Sequence, residues 1–175
     1  MKVRLFSIII TLVMCSCDFW HKHDIDYYCS NAKLTEAEIA IIQPESDQKI
    51  TVKFDPRSFR INRKNIYSES LIPGIGHKIL QFVGGETTII SVYLCFDSFD
   101  RQVDVREETR EVAELMEINE ISHAPPVLNF KWGEFSFECV LEEIVEEYSA
   151  FFPDGTPAKA KLNVIFKEFK RIEPD

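Results

Sequence analysis

The chain has 175 residues, 45% hydrophobic and 28% charged, which excludes a disordered polymer and suits one globular domain. A chain of this length and apolar content can bury a core without help from disulfides or metals. Twenty basic against 29 acidic residues leave a formal net charge of −9. This argues against non-specific nucleic-acid binding, which needs clustered Lys and Arg, and against electrostatic docking on anionic lipid.

Residues 1–33 read as a signal-like or disordered leader. Lys2 and Arg4 form a basic start, and Leu5 to Met14 is a mostly apolar run. Its length, about ten residues, is that of a signal-peptide h-region and short of a transmembrane span. Cys15 and Cys17 follow, as after a bacterial lipobox, and are the candidate lipidation sites. Met14 precedes Cys15 where a small residue is expected, whereas the small Ser16 precedes Cys17. A second reading is a start placed too far upstream, with Met14 as an internal start. Cys15, Cys17, His21, His23 and Cys29 could be read as a zinc cluster, but their spacing matches no finger or knuckle. A flexible leader is the reading favoured for this stretch.

From Leu34 to Asp175 the chain reads as one β domain, because period two dominates. Glu36 to Gln43 is predicted as a strand, Pro44 to Gln48 as a turn, and Lys49 to Phe54 as a strand with Ile50, Val52 and Phe54 on one face. Asp55-Pro56 breaks that run, after which Phe59 and Ile61 alternate with Arg60 and Asn62. Ser68 to Gly76 is predicted as a loop and Lys78 to Val83 as a strand. Gly84-Gly85 is a turn signal of the kind that joins a β-hairpin. Thr87 to Phe96 is the most apolar stretch, with Thr88, Ile90, Val92, Leu94 and Phe96 on one face and Ile89, Tyr93 and Cys95 on the other. Such a strand is covered on both sides.

One helix is predicted, over about Val105 to Ile118, with Asp104 as N-cap and Glu107 in capping-box position. Val105, Thr109, Val112 and Met116 form its apolar stripe. Three strands follow. Val127 to Trp132 is short, and the next carries Phe135, Phe137, Cys139 and Leu141 on one face. Its alternation slips at Glu142-Glu143, the mark of a bulge. Pro153 to Pro157 is a turn. Ala158, Ala160, Leu162, Val164 and Phe166 then alternate with polar residues, which predicts an antiparallel strand with one wet face. The fold class expected is mainly β, an antiparallel barrel or sandwich with one inserted helix.

No catalytic motif is present: Gly74-Ile75-Gly76 leads to no phosphate-binding pattern, and Gly-x-Ser-x-Gly, Gly-Lys-Thr and His-Glu-x-x-His are missing. His77 and His123 read as surface or loop residues. Glu142, Glu143, Glu146 and Glu147 could suggest calcium or paired carboxylates, but read as a solvated strand edge. Asp97, Asp100 and Asp104 hint at a metal loop that lacks the glycine of an EF-hand. Cys95 and Cys139 lie in apolar runs, where a free cysteine acts as a small hydrophobe. No catalytic residue, metal or cofactor is expected.

Several phrases, in order, resemble the N-terminal domain of the contractile injection system tube-protein family. They are Val52-Lys53-Phe54-Asp55-Pro56, Leu80 to Glu86, the strand ending Phe96-Asp97, and Asp104-Val105-Arg106 opening the helix. Pro125-Pro126-Val127-Leu128, Phe130-Lys131-Trp132-Gly133, Phe151 to Pro157 and Phe166-Lys167-Glu168-Phe169 complete the series. The resemblance spans roughly residues 36–170. It implies a non-enzymatic structural subunit that assembles with itself as a ring oligomer. Its partners would be other tube, baseplate and spike subunits, with no nucleic acid and no small-molecule substrate. Assembly would be cytoplasmic, into an injection particle. Residues 1–17 keep open a secreted or membrane-anchored lipoprotein that uses the same β domain for binding or anchoring. Relatives often carry a LysM module; none is read after Asp175, so peptidoglycan binding through one is not expected.

Overall fold

The computed structural model describes residues 33–120 and 122–171. The leader, with Cys15, Cys17 and the His21, His23 and Cys29 group, lies outside the described residues, except for Lys33. Nine strands are described: β1 (Thr35–Gln43), β2 (Lys49–Phe54), β3 (Arg60–Asn62), β4 (Asn65–Ser70), β5 (Ile79–Gly85), β6 (Ile89–Asp97), β7 (Val127–Trp132), β8 (Phe135–Phe151) and β9 (Pro157–Glu168). A single α-helix among the described residues, α1 (Arg106–Ala113), continues into a 3-10 turn at Glu114–Met116. Seven strands form one antiparallel sheet in the order β2-β1-β7-β8-β9-β6-β3.

The sheet curls until its first strand meets its sixth. Phe54 of β2 pairs with Leu94 of β6, the one bridge between them, so the barrel closes only in part. The cause is local. β2 and β3 lie along the same neighbour, β6, and are offset by the turn that begins at the buried Asp55. The Asp55 carboxylate accepts from Arg57 N at 2.9 Å and pairs with the Arg57 guanidinium at 2.9 Å. Ser58 Oγ donates to Asp55 O at 2.6 Å and accepts from Tyr93 N of β6 at 3.1 Å. An Asp-Pro turn thus breaks the strand and anchors the break to its neighbour.

The inward faces are those of the predicted alternation: Ile50, Val52 and Phe54; Ile90, Val92 and Leu94; Cys139 and Leu141; and Ala158 to Phe166 in steps of two are all buried. An aromatic cluster fills one part of the core, with Phe130 ring centroids 5.4 Å from Phe166, 6.1 Å from Phe54 and 6.3 Å from Phe59. The predicted bulge is present, as a register shift between Leu141 and Glu143. Gly155 sits at φ +87°, the left-handed region a side chain resists.

Four expectations are corrected. Asn65–Ser70 is a strand, and the hairpin partner of β5 is β4, not β6; Gly84-Gly85 lies at the end of β5 rather than in a two-strand turn. In the helix, Leu115 is buried in place of Met116, because the last turn tightens to 3-10 and moves the inward position from i+4 to i+3. The outer face of β9 is not fully wet: Lys161 is only 7% exposed, its ammonium 4.3 Å over the Tyr93 ring and 3.4 Å from Glu147. Cys95 is disulfide-bonded, whereas Cys139 is a buried free thiol.

Candidate assembly surfaces

The register assigns the loops to two ends. β1 turns into β2 near the N-terminus of β7, and β6 leaves the sheet where β9 enters it. The turn 44–48, the helix, the stretch 117–126 and the β8–β9 turn therefore share one end. The β3-to-β6 excursion and the β7–β8 turn share the other.

That excursion is a two-stranded arm. β4 and β5 pair only with each other, from Asn65↔Gly85 to Ser70↔Ile79, and belong to no larger sheet. Tyr67 stands opposite Phe82 and Glu69 opposite Leu80, so Tyr67, Leu80 and Phe82 share a face. They are 51%, 62% and 59% exposed, and the Tyr67 and Phe82 rings meet edge to face at 5.7 Å. Ile66, Leu71, Ile72, Ile75, Ile79 and Val83 are exposed as well. Salt bridges Lys64–Glu86 at the base and Lys78–Glu69 near the tip hold the ribbon together. A hairpin standing alone is marginal in water, and contiguous exposed apolar surface marks a contact site.

At the opposite end lies a groove of about 390 Å3 lined by Ile41, Pro44, Leu115, Ile118 and Pro126, with Glu111, Glu114, Glu117 and Glu120 around it. At the same end of the sheet, Phe99 stacks on Phe152 at 5.8 Å.

The sequence-singled acidic residues are dispersed among neighbours. Glu142 pairs with Lys167 at 2.7 Å, Glu147 with Lys161 at 3.4 Å, and Glu146 accepts from the Tyr148 hydroxyl. Burial raises the Tyr148 pKa, and that bond adds to the rise. Asp97 pairs with Lys159 at 2.9 Å and accepts from Phe99 N at 3.0 Å. Burial works to raise its pKa, but the Lys159 and Phe99 bonds outweigh it and hold the carboxyl low. Asp104 accepts from Arg106, whose guanidinium and amide keep its carboxyl below the usual range. His123 sits in a tight turn, its N–H donating to Asn119 O at 2.8 Å. Among the described residues no three His, Cys, Asp or Glu side chains gather as a metal site. No helix among them is long and apolar enough to cross a membrane.

Sequence reasoning missed the arm because Asn65 to Ser70 is mostly polar and carries little alternation. The signal available was the cluster of apolar residues with no balancing polar face in Leu71 to Val83.

No curated protein is a significant match to the chain. The family model described as contractile injection system tube protein matches residues 30–174, which covers every strand, the arm and the helix. A mainly antiparallel, partly closed β-barrel with a projecting ribbon and one helix is thus the form taken here by a member of the contractile injection system tube protein family, to which this chain belongs.

Proposed function

We propose that the protein is a non-enzymatic structural subunit that assembles into rings and forms or initiates the inner tube of a contractile injection particle, or joins that tube to the baseplate and spike. The observation that carries this reading is the arm. Tyr67, Leu80 and Phe82 stand together, with Glu69, on one face of a ribbon that has no sheet to rest on, at a cost in solubility that a lone monomer has no reason to bear. Identical subunits bound through unlike surfaces close into rings when the rotation allows it. Edge pairing would add to the contact, because the outer edges of β4 and β5 still offer backbone N–H and C=O groups. The acidic residues along the sheet fit a wall, since Asp97, Glu142 and Glu147 are each paired with a lysine of β9.

The test is affinity purification of the tagged native protein from its own cell, with mass spectrometry of its partners and of its own N-terminus. Recovery of sheath, tube and spike proteins is the result expected. A lipid-modified Cys15 or Cys17 with envelope partners alone would mean that the domain serves as an envelope module instead.

A further inference from the structure

The chain has five cysteines, Cys15, Cys17, Cys29, Cys95 and Cys139. Cys95 is disulfide-bonded and Cys139 is free, so Cys95 is bonded to one of the three that precede β1. The register of the sheet selects among them. Thr35 of β1 pairs with Phe54 of β2, and Phe54 pairs with Leu94 of β6. Neighbouring strands lie about 4.8 Å apart, so the start of β1 stands about 10 Å from the residue next to Cys95. Cys29 is six positions ahead of Thr35, a stretch that spans up to about 20 Å. Cys17 and Cys15 would close longer loops at a higher entropic cost, and they are also the two candidate lipidation sites.

Cys95 does not point into the barrel. Leu94 and Leu162 are the fully buried inward residues, and Cys95 and Lys161, opposite each other on β6 and β9, alternate with them on the outer face. Yet Cys95 is 6% and Lys161 7% exposed. On the same face of β8, Glu143 and Val145 are exposed, so the cover lies over β6 and β9 and thins out along β8. A buried ammonium calls for opposite charge nearby. That of Lys161 lies 4.3 Å over the Tyr93 ring and 3.4 Å from Glu147. Residues 24–29, Asp-Ile-Asp-Tyr-Tyr-Cys, suit this place. They bring two carboxylates to join Glu147 around the ammonium, and Ile25, Tyr27 and Tyr28 to pack beside Tyr93.

We infer that Cys95 is bonded to Cys29, and that the bond holds residues 24–29 across the outer face of β6 and β9 at Tyr93, Cys95 and Lys161. The bond forms by exchange with the disulfide of an oxidised dithiol oxidoreductase. One cysteine thiolate attacks that disulfide to give a mixed disulfide, and the other cysteine thiolate resolves it. Cys29 and Cys95 together give up two protons and two electrons, and the oxidant takes them and leaves as a dithiol. Cytosolic thiols are kept reduced, so the bond forms once the chain, alone or within a particle, has left the cytosol. The bond stands independently of the ring assembly proposed above.

The experiment isolates the tagged native protein from its own cell with iodoacetamide present from lysis, and maps disulfide-linked peptides by mass spectrometry without reduction. A peptide pair joining Cys29 to Cys95 is expected. An alkylated Cys95, or a bond from Cys95 to Cys15, Cys17 or another copy, would overturn the assignment. Thermal melting gives a second reading. Reductant should lower the Tm of the wild type by roughly 5–15 °C and leave that of Cys29→Ser unchanged. An equal response of the two would also overturn the bond. Amine acylation followed by peptide mapping reads the cover. Lys161 should resist the reagent in the bonded wild type and react in Cys29→Ser, and protection in both would refute the placement of residues 24–29.

Discussion

Replacing Leu80 and Phe82 by Ser separates the role in assembly proposed for the arm from any role in folding. Fully burying a Leu or Phe side chain is worth about 1.5–3 kcal/mol. These two side chains keep 62% and 59% of their surface exposed in the single chain, so only that share is left for a partner to cover. Docking then gains about 1–2 kcal/mol from each, and the double variant loses roughly 2–4 kcal/mol per arm contact. At about 1.4 kcal/mol per tenfold, the association constant for one contact falls roughly 30- to 700-fold. The domain's own stability should hardly move. Neither residue packs in the barrel core, and the Tyr67–Phe82 ring contact that is lost lies within the arm. Exposed substitutions of this kind typically change stability by about 0.5 kcal/mol or less. Sedimentation velocity over a dilution series reads assembly, and thermal melting of the same samples reads folding. Equal assembly by variant and wild type would refute the assignment of the arm as a contact. A large drop in melting temperature would refute its independence from the core.

Gly155→Val should destabilise the domain by about 1–2 kcal/mol, because a left-handed conformation strains any side chain bearing a Cβ and a branched one most. Nothing lies within 4 Å of the added Cβ, so the cost is backbone strain alone, and Gly155→Asn should lose much less in a thermal melt. Phe130→Ala removes a fully buried ring packed against Phe54, Phe59 and Phe166, and urea denaturation should show a loss of about 3–5 kcal/mol. Cys139 should resist alkylation in the native protein and react after unfolding, since burial lifts its thiol to about 12. The folded value lies above the ordinary 9.0, so this thiol's contribution to stability is intact below pH 9 and is lost as pH rises toward 12. Stability of the wild type should therefore fall more over that interval than that of Cys139→Ala.

Alternation by itself identified β2, β6, β7 and β9 and their inward residues, since side chains two apart share a face and the apolar face must be buried. The bulge at Leu141/Glu143 and the left-handed Gly155 were equally local, one a slip in the pattern and the other a turn sequence. The ordered phrases that pointed to the tube-protein family were also local, each a short run in a strand, a turn or the start of the helix. The candidate assembly surfaces were not local. A strand's pattern states which face is buried but not which strand it pairs with, so β5 read as the partner of β6 until its register with Asn65–Ser70 was seen. Leu115 in place of Met116 depended on a final turn tightened to 3-10. The partial closure at Phe54 and Leu94, and the placement of an apolar arm and an acidic groove at opposite ends, depend on pairings between residues far apart in the chain. Only the folded backbone brings such residues together, and so only the tertiary structure decided where the exposed apolar arm and the groove lie.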